Sequence, residues 1–502
     1  MTRITVLPQS VVVLAALAAC GPRDVPPPDK IVKGGACDYG ADPADTEAKV
    51  CANGYVCEPV AGQEGYVCAS PIVIRGMVID ALSEAPLEGA LVTALDRTSA
   101  PVSDVAVTDV NGMYELEVSA LRDGDGELAD DAVYTLNSFA ADYQPFPAGV
   151  RPALPVSTTE AMIEQVECGD QNGDGDPDLC DQVIIDNPTT VVALIPLPES
   201  QRGGATITGT IAHDLSAGTL VVAEGASDPA SYGLSDRSGD YTIFNVPPGA
   251  VTVRGYRSGI EITPADVATV AGMIHTVDLA VVATAEGMAA IDGSVNIVNA
   301  PGGSLTSVVL VPSSVYNTNL ERGPVPYGLR APGPGLDPNV SGAFSIAGVP
   351  AGTYKVLAAF ENDGLVRDPD MTIAGTQIPE ITVAAGVSQT VSQSFKITAA
   401  LAVESPGADS PEPVSGTPTF VFADDSSEDY YAVVVYDALG TLVWEDAMVP
   451  GVSGSATVEV DYGGPALIPG MWYQFRATSW RDKMGGTAIS RTEDLRGVFY
   501  VP

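Results

Sequence analysis

From residue 71 onward, short runs of Val, Ile, Leu, Thr and Tyr alternate with polar residues and are punctuated by Gly, Pro, Asn and Asp. Alternation with a period of two puts the apolar side chains on one face of a strand, so the pattern predicts half-buried β-strands. Long stretches with a helical period are scarce. Many short strands separated by turn signals predict an all-β chain of tandem antiparallel β-sandwiches. With 502 residues, 45 % of them apolar, the chain can fill several cores, about three to five at roughly 100–150 residues each.

One device occurs three times along this stretch. The first copy opens with IRGMVID (Ile74 to Asp80) and later reads Thr108-Asp109-Val110-Asn111-Gly112-Met113-Tyr114. The second opens with ITGTIA and continues with Asp236-Arg237-Ser238-Gly239-Asp240-Tyr241, then Val246-Pro247-Pro248-Gly249. The third has IDGSVNI, Asn339-Val340-Ser341-Gly342-Ala343-Phe344 and Val349-Pro350-Ala351-Gly352. In the Asp-x-x-Gly-x-Tyr element, the Asp side chain can cap a tight turn and Gly can take the left-handed φ that a Cβ resists. The aromatic then faces the core from the next strand. In Val-Pro-x-Gly, Pro presets the turn and Gly reverses it, which places the element between two strands of one hairpin. No helix pattern follows these loops, so they are architectural and not phosphate-binding.

The combination resembles the carboxypeptidase regulatory-like domain, a transthyretin-like sandwich that is strung in tandem in bacterial surface proteins. The resemblance covers 71–197, 204–282 and 287–403. The first copy lacks Val-Pro-x-Gly, and the third has Asn339 in place of Asp. From about residue 405 to 502 the text changes again, with Ile468-Pro469-Gly470-Met471-Trp472-Tyr473-Gln474-Phe475. This resembles the tyrosine corner of fibronectin type III and other immunoglobulin-like sandwiches, which implies a structural role for Tyr473. Upstream, Tyr430 to Val435 and Leu442-Val443-Trp444 predict paired strands around Ala438-Leu439-Gly440.

The N-terminus follows other rules. Met1-Thr2-Arg3 precedes an apolar run from Val11 to Ala19, too short to span a bilayer and suited to a signal-peptide core over 1–19. Leu17-Ala18-Ala19-Cys20 resembles the lipobox of bacterial lipoproteins, which implies diacylation of Cys20 as the first mature residue. Gly21 stands where an Asp would mark inner-membrane retention, so the outer membrane, on its cell-surface or periplasmic face, is the expected home. The alternative is an ordinary secretory signal with an incidental Cys. Residues 20–36, rich in Pro and without an apolar period, predict a flexible tether. The stretch 37–70 holds Cys37, Cys51, Cys57 and Cys68 in too little chain for an unstapled core. With Cys168 and Cys180, six cysteines remain after Cys20, and an even number in an exported chain predicts three disulfides. The pairing of the first four is open. No Cys-x-x-Cys pair occurs, which disfavours metal and redox readings.

Sixty-four acidic residues against 23 basic ones give a formal net charge of −41. Attraction to nucleic acid or to an anionic lipid surface is therefore excluded as a function class. Charge does concentrate usefully in Asp170-Gln171-Asn172-Gly173-Asp174-Gly175-Asp176-Pro177-Asp178-Leu179-Cys180-Asp181. Oxygen ligands at positions 1, 3, 5, 9 and 12 with Gly at 6 match the spacing of an EF-hand loop. Asp170, Asn172, Asp174, the Asp176 carbonyl, Asp178 and Asp181 are the candidate ligands for a structural Ca²⁺. Asp at position 12 and Pro177 depart from the EF-hand pattern, and flanking helices are missing. A solitary loop resembling those of dockerin or thrombospondin type 3 repeats, closed by a Cys168–Cys180 bridge, is one reading; a solvated acidic loop is the other.

Catalytic signatures are wanting. His213 and His275 lie outside H-E-x-x-H patterns and in stretches that read as strands; no G-x-S-x-G elbow occurs. Peptidase activity does not carry over from the regulatory-domain resemblance, because it belongs to a catalytic domain. The expected function is a non-enzymatic, membrane-anchored stalk and binding surface for an unidentified protein or glycan. A carbohydrate-binding array using Trp444, Trp472 and Trp480, or a hydrolase with scattered carboxylates, are the rival classes.

Overall fold

The computed structural model describes residues 30–40, 48–170, 176–284, 287–298, 306–360, 378–392, 395–398, 400–481, 486–492 and 495–502. Helix among them is confined to four three-residue 3₁₀ turns. The regular structure is otherwise strand, arranged in many small sheets. A module of three short strands, Ala36–Cys37, Val56–Pro59 and Tyr66–Ala69, precedes four two-layered sandwiches. No helix of the described residues is long and apolar enough to cross a membrane.

The three repeats share one topology. Their opening strands, Ile72–Asp80, Ala205–Thr210 and Ala289–Val298, each pair antiparallel with the strand that follows the Asp-x-x-Gly turn: Met113–Val118, Asp240–Val246 and Ala343–Val349. On the other side each takes a parallel partner: Val191–Leu194, Ile274–Thr276 and Gln389–Thr390. The facing sheets centre on Leu91–Asp96 with Val133–Phe139, Leu220–Glu224 with Gly249–Tyr256, and Thr306–Pro312 with Gly352–Phe360. Parallel partners inside a mainly antiparallel architecture escape sequence patterning, because alternation encodes which face is buried and not the direction of the neighbour.

In the first two copies the turns work as their residues predict, whereas Gly342 of the third does not take the left-handed φ. Asp109 Oδ1 accepts from the backbone N–H groups of Asn111 and Met113 at 2.9 and 2.8 Å, and Gly112 sits at φ 72°. Asp236 Oδ1 does the same for Ser238 and Asp240, with Gly239 at φ 86°. Tyr114, Tyr241 and Phe344 are all buried. Beyond prediction, the glycine of each opening strand is the cross-strand partner of that aromatic: Gly76 opposes Tyr114, Gly209 opposes Tyr241 and Gly293 opposes Phe344. A Cβ on Gly76 would stand 2.5 Å from Tyr114 Oη, and one on Gly293 2.5 Å from Phe344 Cζ. The ring lies across the bare backbone, so the two halves of the repeat signature are one packing unit. Tyr114 Oη then donates to the Thr190 carbonyl at 2.7 Å, and Tyr241 Oη to that of Val277, tying in the parallel strand.

Val-Pro-x-Gly departs from expectation. It does not join two strands of one hairpin; it is a corner between the layers. Asp240–Val246 belongs to the sheet of Ala205–Thr210, whereas Gly249–Tyr256 pairs with Leu220–Glu224 opposite. The same holds for Ala343–Val349 and Gly352–Phe360. Proline cannot donate to a ladder, and the residue before Val is left-handed in both copies, Asn245 at φ 60° and Gly348 at φ 68°. Chain direction therefore changes before a second ladder bond can form.

In the C-terminal sandwich Tyr430–Asp437 pairs with Leu442–Pro450 and with Trp472–Arg481. Tyr473 is buried, and its hydroxyl accepts from the Ile468 N–H at 2.8 Å, the back-bond of a tyrosine corner. Phe420 stacks on Phe475 at 4.6 Å in the centre of this core.

Neighbouring sandwiches share cores. Leu220, Val222, Ala230 and Tyr256 of the second pack into the cluster of the third, where the rings of Tyr256 and Tyr354 meet edge to face at 5.7 Å. Val150 and Ile195 of the first and Leu320 of the third enter the core of the fourth. Asn245 bolts the second sandwich to the first: its amide donates to the carbonyls of Ala140 and Tyr143 and accepts from the Asp142 N–H.

Candidate functional site

Concave space occurs where the first and second sandwiches meet, in a cleft of about 360 Å³. Leu91, Val92, Phe139 and Leu234 line it together with Asp240 and Asp278. These carboxylates are engaged. Asp278 Oδ1 accepts from the Thr210 N–H at 3.0 Å, and Asp240 Oδ1 from the Thr210 hydroxyl. Asp236 caps its own turn, and burial lifts its carboxyl above the ordinary range. A cleft with a mixed apolar and polar lining can hold a ligand, but no histidine or thiolate lines it.

Both histidines serve the backbone. His275 lies in a strand and its Nε2 accepts from the Val270 N–H at 3.1 Å. His213 is not in a strand, as the sequence implied, but in the turn after it, where Nδ1 accepts from the Leu215 N–H at 3.0 Å. A short polar turn following the Ala205–Thr210 strand lets the imidazole cap its own loop.

The six described cysteines form three disulfides, Cys37–Cys57, Cys51–Cys68 and Cys168–Cys180, with Cα separations of 6.0, 5.6 and 5.7 Å. The sulfurs of Cys37, Cys51 and Cys57 lie within 4.8 Å of one another, but bridged sulfur offers a metal no thiolate. Cys168–Cys180 closes the acidic loop at the end of a hairpin, Met162–Glu167 against Leu179–Ile185. It also carries the Cys-rich module: Cys180 Sγ contacts the Asn53 carbonyl, and a Cβ on Gly54 would stand 2.5 Å from Cys168 Cβ. Of the proposed cation ligands, Asn172 and Asp174 lie outside the described residues, as does Cys20. Asp170, Asp176 and Asp178 flank the closure, where the Asp178 carbonyl accepts from the Cys168 N–H. Asp181 sits in the second hairpin strand and accepts from Gln165 Nε2 at 3.3 Å.

A charged pair at the module's seat was not anticipated, since one Glu beside a Cys carries no periodic signal. Glu58 is buried and its Oε2 accepts from the Ala120 N–H at 2.6 Å; buried Arg122 donates to the Ser70 carbonyl at 2.9 Å. Burial pushes the Glu58 carboxyl up to about 7 despite that bond and the nearby guanidinium. A carboxyl that holds its proton more tightly when folded contributes stability fully below its unfolded value, and loses it as pH rises through the folded one. Melting temperature is therefore expected to fall between pH 4.5 and 8, by the equivalent of about 1–3 kcal/mol, and Glu58→Gln to flatten that dependence. An unchanged pH profile in the variant, followed by calorimetry, would remove Glu58 as its source.

The three tryptophans are not open platforms. Trp444 packs on Tyr462 at 5.3 Å, Trp472 stacks on Tyr500 at 5.0 Å and Trp480 on Tyr430 at 6.2 Å, and each is half-buried.

No family model matches the chain, and no curated protein matches it. Among solved structures, it is similar to the Bacillus anthracis TIE protein at 10 % identity and TM-score 0.14, over 89 % of this chain and 74 % of that one. It is similar to two B repeat units of the collagen-binding protein of Staphylococcus aureus at 11 % identity and TM-score 0.18, over 86 % and 98 % of the two chains. The major pilin subunit BcpA of Bacillus cereus gives 10 % identity and TM-score 0.17, over 66 % of this chain and 99 % of that one. Similarity at this level carries no argument about function, and the β-sandwich architecture rests on the strands of the chain itself.

Proposed function

We propose that this chain is a non-enzymatic, lipid-anchored protein of the outer membrane, whose interlocked sandwiches form a firm body that presents a binding surface to another protein. The observation behind this reading is how side chains are used. Cores are shared between neighbouring sandwiches, the histidines and Asp236 are spent on backbone N–H groups of loops and turns, and Asp240 and Asp278 are spent on Thr210. Such a body holds surfaces at fixed spacing, and its histidines and cleft carboxylates among the described residues are already engaged. A glycan ligand is the lesser reading, since Trp444, Trp472 and Trp480 are each engaged with another ring.

Anchoring rests on the lipobox resemblance at Cys20, and each buried acyl CH₂ contributes about 0.8 kcal/mol of membrane affinity. Cys20→Ser is expected to move the protein to the soluble fraction, and partners crosslinked in cells should change with it. Retention of that variant on membranes after a salt wash would reject the anchor. Calcium at Asp170, Asn172, Asp174, Asp176, Asp178 and Asp181 is part of the same reading: binding relieves carboxylate repulsion and stabilises by about 2.7 kcal/mol at a hundredfold excess over Kd. Equal melting temperatures in millimolar calcium and in chelator, for wild type and Asp170→Ala/Asp178→Ala alike, would leave only a solvated acidic loop.

A further inference from the structure

The hairpin strand Met162–Glu167 is the edge of its sheet, paired with Leu179–Ile185 on one side only among the described residues. It stands clear of the sandwich core: five of its six residues are exposed, Met162 to 61 % and Ile163 to 72 %. Its ladder runs six residues without a register shift. Two other exposed edges, Leu442–Pro450 and Ala280–Thr284, are each broken by a shift against their partners, a device that spoils an edge as a template. This edge is also firmly held. The Cys168–Cys180 bridge closes one end, and Arg75 donates to Glu164 and Glu115 across the sheet.

Bond direction follows from the closure. The Cys168 N–H points inward to the Asp178 carbonyl, and the Val183 N–H points away from this strand to Pro71. Antiparallel alternation then sends the N–H and C=O groups of Met162, Glu164 and Val166 inward, and those of Ile163, Gln165 and Glu167 outward. We infer that this edge is a docking site for an extended basic segment of another protein, which adds as a further strand. Charge selects the occupant. Glu164 and Glu167 lie on this strand and Glu160 on the 3₁₀ turn before it, where its Oε2 accepts from Asn187 Nδ2 at 2.9 Å, with Asp178 and Asp181 on the partner strand and its turn. A second copy would oppose the same acids to themselves, in a chain of net charge −41. A segment alternating Lys or Arg with apolar residues would satisfy the outward backbone groups, pair with the glutamates and cover Ile163.

The inference rests on the reading of the body as a protein-binding scaffold, and its test separates the two. Full-length mature protein is titrated into a labelled, end-blocked ten-residue peptide of alternating Lys and Val, with fluorescence anisotropy as readout. Three comparisons accompany it: the same peptide N-methylated at alternate residues, a Glu–Val peptide, and the Gln165→Pro protein, whose substitution removes an outward donor that the sheet does not use. Binding by the Lys–Val peptide, weakened at least tenfold by N-methylation, by Gln165→Pro and by exchange of Lys for Glu, is the expected result. N-methylated and parent peptides binding within twofold would overturn it, the attraction then being diffuse charge. Equal binding of the Glu–Val peptide overturns it as well, as does a dimer in sedimentation that Gln165→Pro dissolves, which would give the edge to a second copy. Partners crosslinked in cells and retained by Gln165→Pro would reject the edge while leaving the scaffold.

Discussion

Glu321→Ala is expected to lower the unfolding free energy by about 3 kcal/mol and to make the C-terminal sandwich melt apart from the other three. Glu321 lies in the long connection between Thr306–Pro312 and Arg330–Ala331, at φ 55°. Its Oε2 meets Arg491 Nη1 at 2.9 Å and Arg476 Nη1 at 3.6 Å, and both arginines belong to the C-terminal sandwich. Arg476 is 3 % exposed, and its other donors reach the Leu320 carbonyl at 2.8 Å and Gln474 Oε1 at 3.1 Å. Removing the carboxylate takes away an acceptor shared by two guanidiniums at a junction where Arg476 is buried, and losing one partner of a buried ion pair costs far more than losing a surface pair. Glu380→Ala provides the contrast, because Glu380 is half-exposed where it meets Lys355 at 2.7 Å, and such pairs are worth up to about 1 kcal/mol. Differential scanning calorimetry should show one transition splitting into two for Glu321→Ala and little change for Glu380→Ala. Equal effects of the two would mean that the junction is held by apolar contact alone.

Gly209→Val should cost about 3 kcal/mol or more in the second sandwich. An added Cβ would stand 2.9 Å from Tyr241 Oη and press on the Val277 carbonyl, which accepts the Tyr241 hydroxyl. The tyrosine cannot retreat, since it is buried within the core of Ile207, Ile243 and Leu279. Steric displacement and a broken buried hydrogen bond therefore add, and the parallel strand Ile274–Thr276 loses its tie. Gly333→Val, where an added Cβ meets nothing within 4 Å, should stay within about 0.5 kcal/mol. Hydrogen exchange gives the local readout: amides of Ile274 to Thr276 should lose protection in Gly209→Val. Retained protection with an unchanged melting temperature would sink the idea that glycine and aromatic form one unit.

Strand content, turn chemistry and the even cysteine count were legible from residue order, because each depends on neighbours within a few positions. Alternation sets the buried face, Asp and Gly set the tight turn, and an even set of six cysteines after Cys20 predicts bridges. Asp109 and Asp236 cap their turns as their spacing requires, and Tyr473 receives its back-bond from Ile468. Everything that depends on which distant segments meet lay beyond the pattern. The repeat glycines were visible, but not that Tyr114 and Tyr241 lie over them, because cross-strand partners are chosen by sheet register. Val-Pro-x-Gly announced a reversal without saying whether it stayed in one sheet; the packed layers decided on a corner. The pairing of Cys37 with Cys57 and Cys51 with Cys68, the burial of Glu58, the shared cores and the exposed edge at Met162–Glu167 likewise arise only when whole surfaces are removed from water together. Local chemistry is written along the chain, whereas burial and exposure belong to the assembled body: burial set the Glu58 carboxyl apart, and exposure made the Met162–Glu167 edge a candidate functional feature.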